Sequence, residues 1–239
     1  MDINQRIRQE LRANIEEKHK ESSRKIFKEK ISCYGVKTPV VRRMAKKHFK
    51  QISYLSKKEI LVLSEHLLKS GYNEEATIAI QWTGNIVDRL EKKDLAIFEK
   101  WLDLYMDNWA KVDDFCLHVI HPLIVEYLEL VHKVKQWPRS ANKWLRRASA
   151  VSFITTVNSF YATRHDLEDI FEVAETLLPD TEDMVQKGYG WMLKSASVQN
   201  RRQVFDFIMK HKPEMPRTAL RYAIEKMPDD LKKRAMIKD

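Results

Sequence analysis

The stretch Gly35-Val36-Lys37-Thr38-Pro39-Val40-Val41-Arg42-Arg43-Met44-Ala45-Lys46-Lys47-His48-Phe49-Lys50, continued by Ser56-Lys57-Lys58-Glu59-Ile60-Leu61-Val62-Leu63 and closed by Gly71, decides the fold. Gly35 breaks the preceding periodicity. Thr38 then offers an N-cap, and Pro39 offers a proline at the first helical position. The helix this opens is apolar on one side and densely basic on the other. Ser56 and Glu59 form the next start signal, a capping box ahead of an apolar run that ends at Gly71. Two helices between two glycines, with a short polar linker, make one helical hairpin.

The same grammar extends in both directions. Residues of about Ile3 to Ile31 carry Ile7, Leu11 and Ile15 at four-residue steps. Further helices are predicted at about Asn73–Leu90, Lys93–Tyr105 and Trp109–His121, with Pro122 opening another to about Val134. Later ones fall near Ala141–Asn158, Asp166–Leu177, Glu182–Ser197, Arg201–Lys212, Pro216–Met227 and Asp229–Met236. Helix pairs recur at roughly 35 to 45 residues, a period that suits an α-solenoid of HEAT type. No alternating strand pattern and no low-complexity linker interrupts them. The expectation is a single all-α domain over 1–239, curved, with a basic concave face.

Composition agrees. Five Gly and seven Pro are too few for the turns of a β-sandwich or barrel, and 44% hydrophobic residues suffice for a core. The net charge of +9 favours an anionic partner, nucleic acid ahead of a membrane surface. Cys33 and Cys116 make neither a disulfide framework nor a metal spacing, and their apolar surroundings mark buried thiols of a reducing compartment. The polar opening Met1-Asp2-Ile3-Asn4-Gln5-Arg6 is unlike a signal peptide, and no apolar run has a membrane span's length. A cytoplasmic, soluble protein is expected.

The chemistry concentrates in Asn108-Trp109-Ala110-Lys111-Val112-Asp113-Asp114. On a helix Trp109 and Asp113 stand at i and i+4 and share a face. A cleft receiving a cation suits an indole beside a carboxylate, because both attract positive charge. The plainer alternative is a helix N-terminus, with Asp113 serving the first turn and Trp109 packing as core. Trp144-Leu145-Arg146-Arg147-Ala148 and Lys187-Gly188-Tyr189-Gly190-Trp191-Met192-Leu193-Lys194 again combine tryptophan with cations at helical spacing. His118, His121 and His132 make no two-histidine metal motif, and His118 reads as a core residue. Neither a Gly-rich phosphate loop nor a Gly-x-Ser-x-Gly elbow is present.

With these segments in hand the chain resembles the DNA alkylation repair family of alkylpurine DNA glycosylases, the AlkD-like enzymes built from HEAT-like repeats. The resemblance runs from about Lys25 to about Met227. It rests on Tyr34-Gly35-Val36-Lys37-Thr38-Pro39 with Arg42 and Arg43, Trp109 to Asp113, Trp144 to Ala148, Gly190-Trp191-Met192-Leu193, and Arg217-Thr218-Ala219-Leu220-Arg221-Tyr222-Ala223-Ile224. It implies removal of cationic N3- or N7-alkylated purines from double-stranded DNA by a monomer, without metal or organic cofactor. It also implies catalytic roles for Asp113, Trp109, Trp191 and Arg147, converging on one nucleotide, with Asp114 structural. Lys37, Thr38, Arg42, Arg43, Arg146, Lys187, Lys194, Arg201, Arg217 and Arg221 become candidates for DNA contact.

One position departs from the pattern. The family places a tyrosine near the lesion, nine residues before the glycine of its Gly-x-x-Thr-Pro motif, and Ile26 stands there with Phe27 beside it. Either the helix is shifted by one residue and Phe27 substitutes, or the contact is missing. A non-catalytic HEAT-like DNA-binding or damage-recognition protein is therefore the alternative to a glycosylase. A protein-binding solenoid is the third reading, but it has no need of the Trp109, Asp113, Arg147 and Trp191 set.

Overall fold

A computed structural model describes residues 2–157, 160–162 and 165–237, and of 156, 157 and 160–162 the backbone alone. The contacts divide the chain into two compact units, 1–123 and 124–239.

The first unit holds α1 (Ile3–Ala13), α2 (Glu17–Ile26), α3 (Thr38–Phe49), α4 (Lys57–Leu68), α5 (Asn73–Gly84), α6 (Leu95–Tyr105) and α7 (Trp109–Phe115). Its helices pack in two rows. α3, α5 and α7 follow one another in one row, and α4 and α6 form the other, with α1 against α3 and α4. Trp82, Phe98, Trp101 and Phe115 fill the core between the rows, and the Trp82 indole N–H donates to the Ala45 carbonyl at 3.0 Å. Both cysteines are buried free thiols, as expected.

Several boundaries differ from the sequence expectation. The first region is two helices, because Asn14 caps α1 by bonding back to Leu11 and Glu10, and this leaves Ile15 exposed. α3 begins one residue early, so Lys37 is its N-cap and Thr38 and Pro39 are its first two residues. α7 does not stop before Pro122. It passes through a π-turn, Cys116–Ile120, into α8 (His121–Glu126). Pro122 has no N–H for the i−4 carbonyl of His118, and the wider turn keeps the helix running past it.

The second unit holds α9 (Val131–Val134), α10 (Lys143–Val151), α11 (Leu167–Leu177), α12 (Asp183–Ala196), α13 (Arg201–His211), α14 (Arg217–Ala223) and α15 (Asp229–Met236). α10, α12 and α14 make one row. α11, α13 and α15 make the other, joined by the stacked rings of Phe171 and Phe207. α10 ends at Val151, short of the predicted span, whose end at Asn158 lies outside the described residues. The β-branched run Ile154-Thr155-Thr156-Val157 loses side-chain freedom in a helix and suits a strand. It enters a small antiparallel hairpin, β1 (Thr155–Val157) with β2 (Phe160–Ala162), in register Thr155↔Ala162. Apart from this hairpin and an isolated bridge between Ser32 and Tyr72, the fold is all-α among the described residues. Among the described residues no single helix is long and apolar enough to cross a membrane.

Candidate nucleic-acid interface

The Tyr34–Pro39 motif is an anchoring turn. Glu74, in the first turn of α5, is buried, and its carboxylate accepts from the backbone N–H groups of Tyr34, Gly35 and Val36 at 3.0, 2.7 and 3.1 Å. Glu75 accepts from the Tyr34 hydroxyl at 2.7 Å and pairs with Arg8 at 3.0 Å. Gly35 has φ +93°, and a Cβ there would stand 2.5 Å from Cβ of Lys20. Only glycine lets the turn approach α2 so closely. α2 buries none of its own residues, so this seat and the Glu16 N–H bond to the Gly35 carbonyl locate it.

Where α2 ends, Ile26 is 64% exposed and turned away. Phe27 stacks instead on Trp109, ring centroids 5.3 Å apart and planes 23° from parallel. Of the two residues it is thus Phe27, not Ile26, that lies against Trp109.

Around Trp109 each residue of the motif has a separate task. Asn108, fully buried, caps α7 by accepting from the N–H groups of Ala110 and Lys111, and its amide donates to Asn73 at the head of α5. The Lys111 ammonium donates to the Gly71 carbonyl at 2.9 Å and pairs with Asp107. Val112 is core. Because Asn108 does the capping, Asp113 lies a turn into the helix and does not serve the first turn, and it remains 9% exposed. Asp114 faces elsewhere, with Oδ1 3.1 Å from Nδ1 of His118 and 3.8 Å from the Arg42 guanidinium. His118 is thus no core residue, since its side chain is 46% exposed.

In the second unit Arg147 and Trp191 come from adjacent helices of one row. Arg147, on α10, is buried, donates to the Met184 carbonyl, and lies across Gly188, where a Cβ would stand 3.2 Å from its Cγ. Trp191, one turn along α12, is half-buried. Gly190 serves packing, because a Cβ there would meet Cβ of Tyr222 at 2.7 Å and the Ala219 carbonyl at 2.8 Å. Asp180 fixes the α10–α12 relation by accepting from Arg146 at 2.6 Å and from the Glu182 N–H at 2.9 Å.

The basic candidates divide by what they already bind. Arg146 spends its donors on Asp180 and on the Ser140 and Ala141 carbonyls, which makes it a structural residue. Lys37 pairs with Glu16, Lys187 with Asp183 and Lys194 with Glu225, the last also lying 5.7 Å over the Tyr222 ring. Arg217 reaches the Met236 carbonyl at 3.5 Å, and Thr38 is exposed. Among the described residues Arg43, Arg201 and Arg221 are exposed and make no ion pair. In each unit the candidates on helices belong to a single row, α3 and α7 in the first and α10, α12 and α14 in the second. Arg201, which opens α13, is the exception. Sequence reasoning missed Glu74, Glu75 and Asp180, whose partners lie more than 30 residues away for Glu74, Glu75 and the Asp180–Arg146 bond.

Comparison with known proteins follows the same lines. The model of the family described as DNA alkylation repair enzyme matches residues 7–227. A solved structure described as a predicted DNA alkylation repair enzyme from Enterococcus faecalis superposes with a TM-score of 0.73 at 15% identity, over 83% of this chain and 90% of that one. At that identity the likeness is one of fold. Among curated proteins none matches.

Proposed function

This chain belongs to the DNA alkylation repair enzyme family, and from that premise we propose that it is a DNA glycosylase hydrolysing the N-glycosidic bond of cationic N3- or N7-alkylated purines. Alkylation at either nitrogen makes the base a good leaving group, so the enzyme need not protonate it. The sugar left behind gathers positive charge and needs a water. A fixed carboxylate serves both needs, by preorganised electrostatics and by orienting the water. Asp113 is that carboxylate. The stack of Phe27 on Trp109, one helical turn from Asp113, carries this reading, because it prepares an aromatic wall on the helix that presents this carboxylate.

In the first unit Trp109 offers the deoxyribose CH–π and cation–π contact; in the second Trp191 offers the same contacts, and Arg147 offers a phosphate a guanidinium already oriented by the Met184 carbonyl. Lys37, Thr38, Arg42, Arg43, Lys187, Lys194, Arg201, Arg217 and Arg221 carry the duplex, which is bound by a monomer. Phe27 has no hydroxyl, so its contact with the lesion is by ring face alone.

Asp113→Asn removes the charge and keeps the shape. Duplex affinity should hold or rise, while single-turnover excision of 7-methylguanine should slow by roughly 10²-fold or more, the scale of one preorganised electrostatic group. Equal rates for variant and wild type would leave the non-catalytic DNA-binding protein as the better account.

A further inference from the structure

Asp114 stands one residue beyond Asp113, its side chain only 17% exposed, with its Oδ1 within 4 Å of Arg42 and His118. Arg42 reaches it from α3 and His118 from the π-turn of its own helix, and their side chains are 55% and 46% exposed. A surface ion pair alone would be of little consequence. The detail of the histidine goes further. Its Nδ1 faces both the Asp114 backbone carbonyl at 2.8 Å and the carboxylate at 3.1 Å, so Nδ1 carries the hydrogen. Nε2 has no partner among the described residues. It is a lone pair when the ring is neutral and an N–H donor when the ring is protonated.

We propose that Arg42, Asp114 and His118 form a phosphate-binding clamp beside Asp113, with Asp114 the positioning residue and the Arg42 guanidinium and His118 Nε2–H the two donors. With the ring protonated the trio carries a net positive charge, and the Asp114 carboxylate, 3.1 Å from His118 Nδ1 and 3.8 Å from the Arg42 guanidinium, gathers both cations at one place for a phosphate. The groups facing His118 are few. Asp114 lies on its own helix and Arg42 comes from α3, these being the charged groups that act on the ring, while on α5 a Cβ at Gly84 would stand 3.3 Å from the His118 carbonyl. The Asp114 hydrogen bond lifts the His118 pKa above its ordinary value, against the opposing effects of burial and Arg42. The charged ring therefore persists toward neutral pH, and DNA affinity should fall as pH rises through that raised value.

This inference rests on the chain acting on duplex DNA, and its test separates the two ideas. The His118 ring signal is followed by NMR against pH, with and without an undamaged duplex, and duplex affinity is measured across the same range. Duplex should raise the His118 titration midpoint, because a phosphate stabilises the imidazolium. His118→Gln should weaken binding about tenfold at the acid end, the scale of one charge-assisted hydrogen bond, and converge with wild type at the alkaline end. It should also flatten the salt dependence by about one phosphate. Asp114→Asn should shift the His118 midpoint to lower pH, which a merely structural carboxylate elsewhere would not do. Duplex binding that leaves the His118 midpoint in place, with unchanged pH dependence in His118→Gln, would overturn the clamp. No duplex binding by wild type at low salt would instead overturn the proposed function.

Discussion

Gly188 and Gly190 stand two residues apart on α12, yet alanine should act differently at each. In an ordinary helix either change gains about 1 kcal/mol of propensity. At Gly190 the new methyl meets Tyr222 Cβ and the Ala219 carbonyl, neither of which can swing aside. Overpacking of this kind costs about 1–3 kcal/mol, so urea unfolding should show a net loss of stability. At Gly188 the obstacle is the flexible Arg147 side chain, which can yield. Gly188→Ala should unfold no more easily than wild type but excise more slowly, because Arg147 is displaced. The sequence quoted these glycines beside Trp191 without their reason, since their neighbours lie on α10 and α14. Phe27 was half legible for a similar cause. Spacing leaves it level with Ile26, and only the point where α2 ends shows that Phe27 is the one to meet Trp109.

Helices were the most legible elements, because each carries its apolar stripe and its stop signals locally. Two failures share a physical origin in residues that defeat the local rule. The run from Ile154 to Val157 has enough apolar character to extend α10, but branching at Cβ turns it to a strand. Pro122 looked like a start signal, and the π-turn absorbs it inside a continuing helix. The Gly35 turn was recognised as a break, whereas its anchor on α5 was not visible. Glu74→Gln leaves an acceptor but no charge beneath three buried N–H groups. It should cost about 1–3 kcal/mol. Hydrogen exchange should quicken at Tyr34, Gly35 and Val36 and along α2, which leans on that turn.

Over the whole molecule, charge was the property read most directly, as an excess of 43 Lys and Arg over 34 Asp and Glu. If about five phosphates are neutralised, log affinity against log salt should fall with a slope near −4 to −5, and a slope near zero would favour a protein-binding role. Acid should loosen the first unit through Glu10. Burial opposes its charge, but hydrogen bonds from His48 and Lys47 outweigh it and hold the carboxyl below its ordinary 4.5. A depressed folded value gives stability that is present above the unfolded pKa and lost as pH falls through the folded one. The difference in urea midpoint between wild type and Glu10→Gln should therefore be largest above about pH 4.5 and vanish on acidification. The cradle of amides at Tyr34, Gly35 and Val36 has one more consequence for this salt dependence. It is a ready-made anion receptor, and the protein's own Glu74 is its resident guest. A DNA phosphate arriving at this turn finds the main chain already taken and is left with the exposed side chains of Lys37 and Arg42, whose attraction for it weakens as salt rises.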